Sequence, residues 1–106
     1  MTPDEFASLA LSLPGVIESA HFGKRDFRAG TIFASLPSEN TGNLKLTPDQ
    51  QQWLLVLHPP LFSALPNAWG LRGWTTLHLP SVEREVALQA LEMAWKNVTA
   101  KKSGKR

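Results

Sequence analysis

Apolar residues recur at helical spacing three times along this chain, and between those stretches they alternate with polar ones. The first stripe is Phe6, Leu9, Ala10 and Leu13, a single apolar face at i, i+3, i+4 and i+7. Thr2-Pro3-Asp4-Glu5 stands before it as a helix start, with Thr2 as N-cap, Pro3 at the first helical position and Glu5 closing a capping box. Leu13-Pro14-Gly15 ends that helix. Val16 to Phe22 then reads as a strand, and Gly23-Lys24-Arg25-Asp26 as a turn. Phe27 to Ala29 and Thr31 to Leu36 follow as strands, or as one bent strand broken at Gly30. After the polar loop Pro37 to Gly42 comes a short strand, Asn43 to Leu46, with Lys45 facing away from Leu44 and Leu46.

Thr47-Pro48-Asp49-Gln50 repeats the first capping solution with Gln50 in place of Glu5, and Trp53, Leu54 and Leu57 continue it as a second helix. His58-Pro59-Pro60 stops that helix, and Leu61 to Ala68 reads as an irregular apolar connection. The stretch Pro66 to Leu79 packs two of the four tryptophans, two glycines, an arginine and a histidine together. Its first half is expected to be a sharp loop in which Gly70 and Gly73 take positive φ. Its second half alternates, with Thr75, Leu77 and Leu79 on one side and Trp74, Thr76 and His78 on the other. Trp69 is expected to lie in the core. Ser81 reads as the cap of a last helix, with Glu83 and Glu85 in its first turn and a broad apolar face from Val86 to Val98.

Helix, strands, helix, strand, helix is the pattern of an α+β two-layer domain: an antiparallel sheet with helices on one face and polar residues on the other. At 106 residues the chain is long enough for one modest core. Hydrophobic content of 42% with 19% charged residues argues against wholesale disorder. There is no cysteine, which excludes disulfides, a thiol nucleophile and thiolate metal sites. With no leader-like start and no long apolar run, a cytoplasmic, monomeric protein without membrane contact is expected.

Charge changes the picture more. The formal net charge is +2, but Lys101, Lys102, Lys105 and Arg106 lie in the last six residues. Residues 1–100, expected to form the one domain, then carry seven basic and nine acidic residues, a net of −2. The basic character belongs to the tail, 101–106, expected to be disordered. Such a tail attracts phosphates, although a short basic terminus is more often only a frayed end.

No enzyme motif is present, and the chain is expected to be non-enzymatic and to need no cofactor or metal. The histidines His21, His58 and His78 stand in no metal-ligand spacing. The serines lack a nucleophile elbow, and Gly70-Leu71-Arg72-Gly73 lies before a strand, the wrong context for a dinucleotide turn. His21 and Asp26 across a turn would make a general-base pair, but a surface histidine near a sheet edge is the plainer expectation. Lys24, Arg25, Arg28, Lys45 and Arg72, with Trp69 and Trp74, are the residue mix of a nucleic-acid platform, in which cations hold phosphates and rings stack on bases. The same mix describes a sheet surface braced by cation–π contacts or a protein-binding patch. The residues leave these alternatives open.

Six segments in order resemble the MmcQ/YjbR family of small bacterial proteins over roughly residues 3 to 98. They are L-P-G-V (Leu13 to Val16), H-F-G-K-R-D-F-R (His21 to Arg28), I-F-A-S-L (Ile32 to Leu36), L-K-L-T-P-D-Q-Q (Leu44 to Gln51), A-W-G-L-R-G-W-T-T-L-H-L (Ala68 to Leu79) and the terminal helix with Ala94-Trp95. The resemblance implies a CyaY-like (frataxin-like) or secretion-chaperone-like α+β fold. It also implies a "double wing" DNA-binding role, which is an analogy of fold. The polar set it carries over is Asp26, Arg28, Lys45, Arg72 and Trp74. Iron binding is not carried over, because the first helix lacks an acidic cluster.

The binding surface is therefore expected to comprise Lys24, Arg25, Asp26, Arg28, Lys45, Trp69, Arg72, Trp74 and His78, with DNA as the partner. The alternatives are a protein-interaction or chaperone-like module on the same surface, and a small-molecule pocket built from His21, His78 and Asp26.

Overall fold

Each apolar stripe becomes a helix laid on one side of a sheet. The computed structural model describes residues 1–103, with side chains through Ala100. Helix α1 is Pro3–Leu11; Glu5 N–H donates to Thr2 Oγ1 at 3.1 Å and Thr2 N–H to Glu5 Oε1 at 2.8 Å, closing the capping box. Strands β1 (Ile17–His21), β2 (Lys24–Ala29), β3 (Thr31–Leu36) and β4 (Thr41–Lys45) form an antiparallel meander. Helix α2 (Pro48–Leu57) has the second capping box, between Thr47 and Gln50. Then come β5 (Phe62–Ala64), the short helix α3 (Ala68–Leu71), β6 (Trp74–His78) and the long helix α4 (Arg84–Ser103).

The six strands are ordered β1-β2-β3-β4-β6-β5, all antiparallel. Helices α1, α2 and α4 cover one face. Phe6 of α1 and Leu54 of α2 are fully buried there, as are Ala87, Ala90, Leu91 and Ala94 of α4. The alanines let α4 lie close on the strands, and α1 approaches so closely that a Cβ on Gly42 would stand 2.8 Å from the Phe6 ring. The inner row of the sheet runs Phe27, Ala34, Leu44 and Thr75 across four strands.

Four expectations change. Lys24 to Asp26 are strand, not turn: only Phe22 and Gly23 reverse the chain, at φ 53° and 76°, the positive-φ pair of a two-residue hairpin. Phenylalanine in that conformation is the wrong signal for a turn, which is why the sequence hides it. Gly30 reverses the chain too, which bears out the reading of two strands, β2 and β3, over that of one bent strand. The supposed irregular connection contains β5, held at the sheet edge by pairing with β6. Ser81 caps nothing: Leu79–Ser81 is a 3-10 turn around Pro80, and α4 begins after Glu83, whose carbonyl accepts from Ala87 N–H at 3.1 Å. Trp69 is exposed, not core. The tail reading falls partly outside the described residues, 104–106 having no described structure; the α4 backbone itself continues through Ser103.

Phe22 is 96% exposed as well as left-handed, so it pays backbone strain for little burial. Phe22→Asn, which suits positive φ, is expected to raise the unfolding free energy by about 0.5–1 kcal/mol. Urea denaturation checks this; a lower midpoint would mean the ring makes a stabilising contact.

Candidate functional site

Period-2 alternation puts a row of short polar residues across the uncovered face of the sheet. In register it runs Ser19, Asp26, Ser35, Asn43, Thr76 and Ser63, one residue from each strand. Flanking that row stand His21 with Lys24, Arg28, Lys45 beside Trp74, and Thr41 beside His78. A bulge in β3 opposite Phe27 and Arg28 re-aims two side chains. It turns Phe33 into the core, fully buried, and brings Ile32 to the open face.

Asp26 anchors one half of this face. It is fully buried, accepts from Arg28 Nε at 2.8 Å and Nη2 at 3.1 Å, and meets His21 Nδ1 at 2.7 Å. The Arg28 guanidinium holds the Asp26 carboxyl below the usual carboxylate range against the opposing effect of burial, with His21 helping. Arg28 is raised in return, chiefly by its hydrogen bonds to Asp26. His21 is thus more than a surface histidine at a sheet edge. Asp26 fixes its ring over β2.

Trp69 and Trp74 dominate the other half. Their rings meet edge to face at 6.5 Å, and the Arg72 guanidinium lies 5.3 Å from the Trp69 ring centre. Helix α3 swings Trp69 over the face, and Gly70 permits this for a reason other than φ. Gly70 is helical, and a Cβ there would collide with the Leu65 carbonyl. Gly73 does take positive φ, at 110°. Buried Gln51 of α2 braces the same corner, its Nε2 donating to Gly70 O at 3.1 Å, Trp74 O at 3.0 Å and Thr75 Oγ1 at 3.1 Å. Between the halves lies a groove of about 380 Å³. Ile32, Ser35 and Asn43 form its floor, Leu65, Trp69 and Trp74 one wall, and His21 the far end.

The expected site residues divide. Asp26 and Arg28 form one cluster, while Trp69, Arg72, Trp74 and Lys45 form the other. Arg28 does not neighbour β6, since β3 and β4 intervene. Lys24 is on the open face, where its Nζ donates to Pro37 O at 3.2 Å. Arg25 is not: it points to the helix side, paired with Glu18 at 2.7 Å and Asp4 at 2.9 Å, which raise its pKa. His78 stays apart, at the opposite end of β6, with Nε2 3.0 Å from Ser63 Oγ. It lines a different hollow from His21. The sequence reading missed Ser35, Asn43, Ile32, Leu65 and Gln51. Alternation in β3 and β4 signalled Ser35 and Asn43; nothing local signalled the bulge.

Among the described residues no cluster of three or more His, Asp or Glu could hold a metal, and no helix is long and apolar enough to cross a membrane.

Three comparisons bear on this geometry. The YjbR family model matches residues 11–97. The crystal structure of Deinococcus radiodurans protein DR2400, with a DUF419 domain, is similar at a TM-score of 0.77 and 22% identity, over 95% of this chain and 80% of that one. Likeness at that identity is one of fold. No curated protein matches the sequence significantly.

Proposed function

This chain belongs to the YjbR family, and from its open sheet face we propose that it binds nucleic acid, with DNA as the foremost candidate and an unpaired strand laid across that face. One observation carries the proposal: charge is segregated between the two faces. The uncovered face and its rim hold four cations, Lys24, Arg28, Lys45 and Arg72, against one acid, Asp26, which Arg28 already neutralises. The other eight acids lie on or beside the helices, or on the helix side of the sheet. Glu18 sits in register with Phe27, and Glu39 beside Asp4. A folded part of net −2 therefore still presents a positive face. Half-exposed Trp69 supplies a ring for base stacking where the cations supply phosphate contacts.

Fluorescence anisotropy with labelled single-stranded DNA across a salt series tests this. Affinity is expected to fall with salt, and Lys45→Ala to reduce the log–log slope by about 0.7, one phosphate contact on a single strand. Trp69→Ala is expected to weaken binding about tenfold at every salt concentration, the effect of one lost stack. No binding at low salt, or binding indifferent to salt, would overturn the proposal.

A further inference from the structure

Several polar groups of the open face are already paired within the protein. Asp26 is taken by Arg28 and His21, His78 by Ser63, and Asn43 Oδ1 by Thr76 Oγ1 at 3.1 Å. On the groove side, Ser35 Oγ, the Asn43 Nδ2 amide and His21 Nε2 have no hydrogen-bond partner among the described residues. All three residues line the same groove. Their roles are set by their neighbours. Asp26 takes the His21 Nδ1 side, which leaves Nε2 as the unpaired nitrogen of the ring. Thr76 donates to the amide oxygen of Asn43 and leaves its two N–H donors free. The groove thus offers a ring nitrogen, a hydroxyl and a donor pair beside the rings of Trp69 and Trp74, which stand edge to face.

A planar ring with neighbouring donors and acceptors on its edge matches this set, and every nucleobase presents such an edge. A phenyl or aliphatic ligand would leave the polar floor unpaired and desolvated. We infer that the groove takes one unpaired nucleobase, its face against one tryptophan ring and its edge on Ser35, Asn43 and His21. This rests on the nucleic-acid reading of the open face and goes further, because it assigns base recognition to residues distinct from the phosphate-holding cations. Lys45, in register with Trp74, places a phosphate contact next to the groove.

The test uses the full chain and two single-stranded oligomers of equal length, one with bases and one abasic throughout. The base-bearing oligomer is expected to bind about tenfold more tightly at the same salt, a contribution of one stacked and hydrogen-bonded base. Asn43→Ala and, separately, Ser35→Ala are expected to shrink that ratio while leaving the salt slope unchanged; Ser35→Ala removes a hydroxyl with no protein partner and keeps the test valid if Asn43→Ala unfolds. Equal binding of both oligomers, or a ratio that neither variant alters, overturns the base pocket and leaves phosphate binding standing. If neither oligomer binds, adenosine is titrated against tryptophan fluorescence. Quenching that Ser35→Ala weakens then upholds the pocket without the nucleic-acid reading, and no quenching overturns both.

Discussion

Gly73→Ala is expected to lower the unfolding free energy by about 4 kcal/mol. Two separate costs combine. Gly73 sits at φ 110°, where an L side chain is strained by about 1–2 kcal/mol. A Cβ there would also collide with the Leu46 carbonyl and stand 2.9 Å from the Thr47 carbonyl carbon. Backbone cannot give way as a side chain tip can, so overpacking adds about 1–3 kcal/mol. The damage falls on the site. Gly73 N–H donates to Gly70 O at 3.0 Å and its carbonyl accepts from Thr75 Oγ1 at 2.8 Å, so it joins α3 to β6 and sets Trp69 against Trp74. Gly15→Ala is the control: φ is 75° with nothing within 4 Å, so only the conformational cost applies. Urea denaturation of both variants separates the terms. Equal losses would mean that the close approach to Leu46 is not maintained in solution.

Asp26→Ala ranks next, with an expected loss of about 2–3 kcal/mol. The substitution removes the buried acceptor of both Arg28 and His21. Breaking a buried pair costs more where the partner stays buried, and the figure is discounted here because Arg28 and His21 both reach solvent. The loss has a pH signature. Asp26 has its folded-state pKa below the ordinary 3.8, so its contribution is fully present above the unfolded value and is lost as pH falls through the folded one. The gap between the native chain and Asp26→Ala is therefore expected to be constant from neutral pH down to about 5 and to narrow below about 4. A gap that ignores acid would show that the carboxylate charge contributes nothing. The same variant frees the His21 ring, so it is expected to impair base-dependent binding more than salt-dependent binding.

Legibility in the sequence followed the range of the interactions. Both capping boxes were plain because they are local, with Thr2 to Glu5 and Thr47 to Gln50 three residues apart. The alternation of Trp74 to His78 was equally plain, and with it the existence of a polar sheet face. Lys45 and Trp74 were both legible as residues of alternating strands, and the tertiary structure put them in register. Arg25 was misplaced because Lys24 to Asp26 look like a turn, and a residue assigned to a turn has no face.

The sequence alone thus determined the α+β class, the starts of the first two helices, the inward and outward sides of β4 and β6, and the family, since these depend on periodicity, capping and motif order over short spans. The tertiary structure decided the rest. It placed β6 between β4 and β5, and inserted the bulge that sends Phe33 inward and Ile32 outward. It tied His21 to a buried carboxylate, gave Gly70 a steric role in place of a conformational one, and separated His78 from the other site residues. Apart from the His21–Asp26 pair, which the sequence offered as one alternative, these depend on segments whose sequences carry no mark of one another. The groove on the stretch from Trp69 to Trp74 exists only because strands β3 and β4 slide beneath it and bring Ser35 and Asn43 with them.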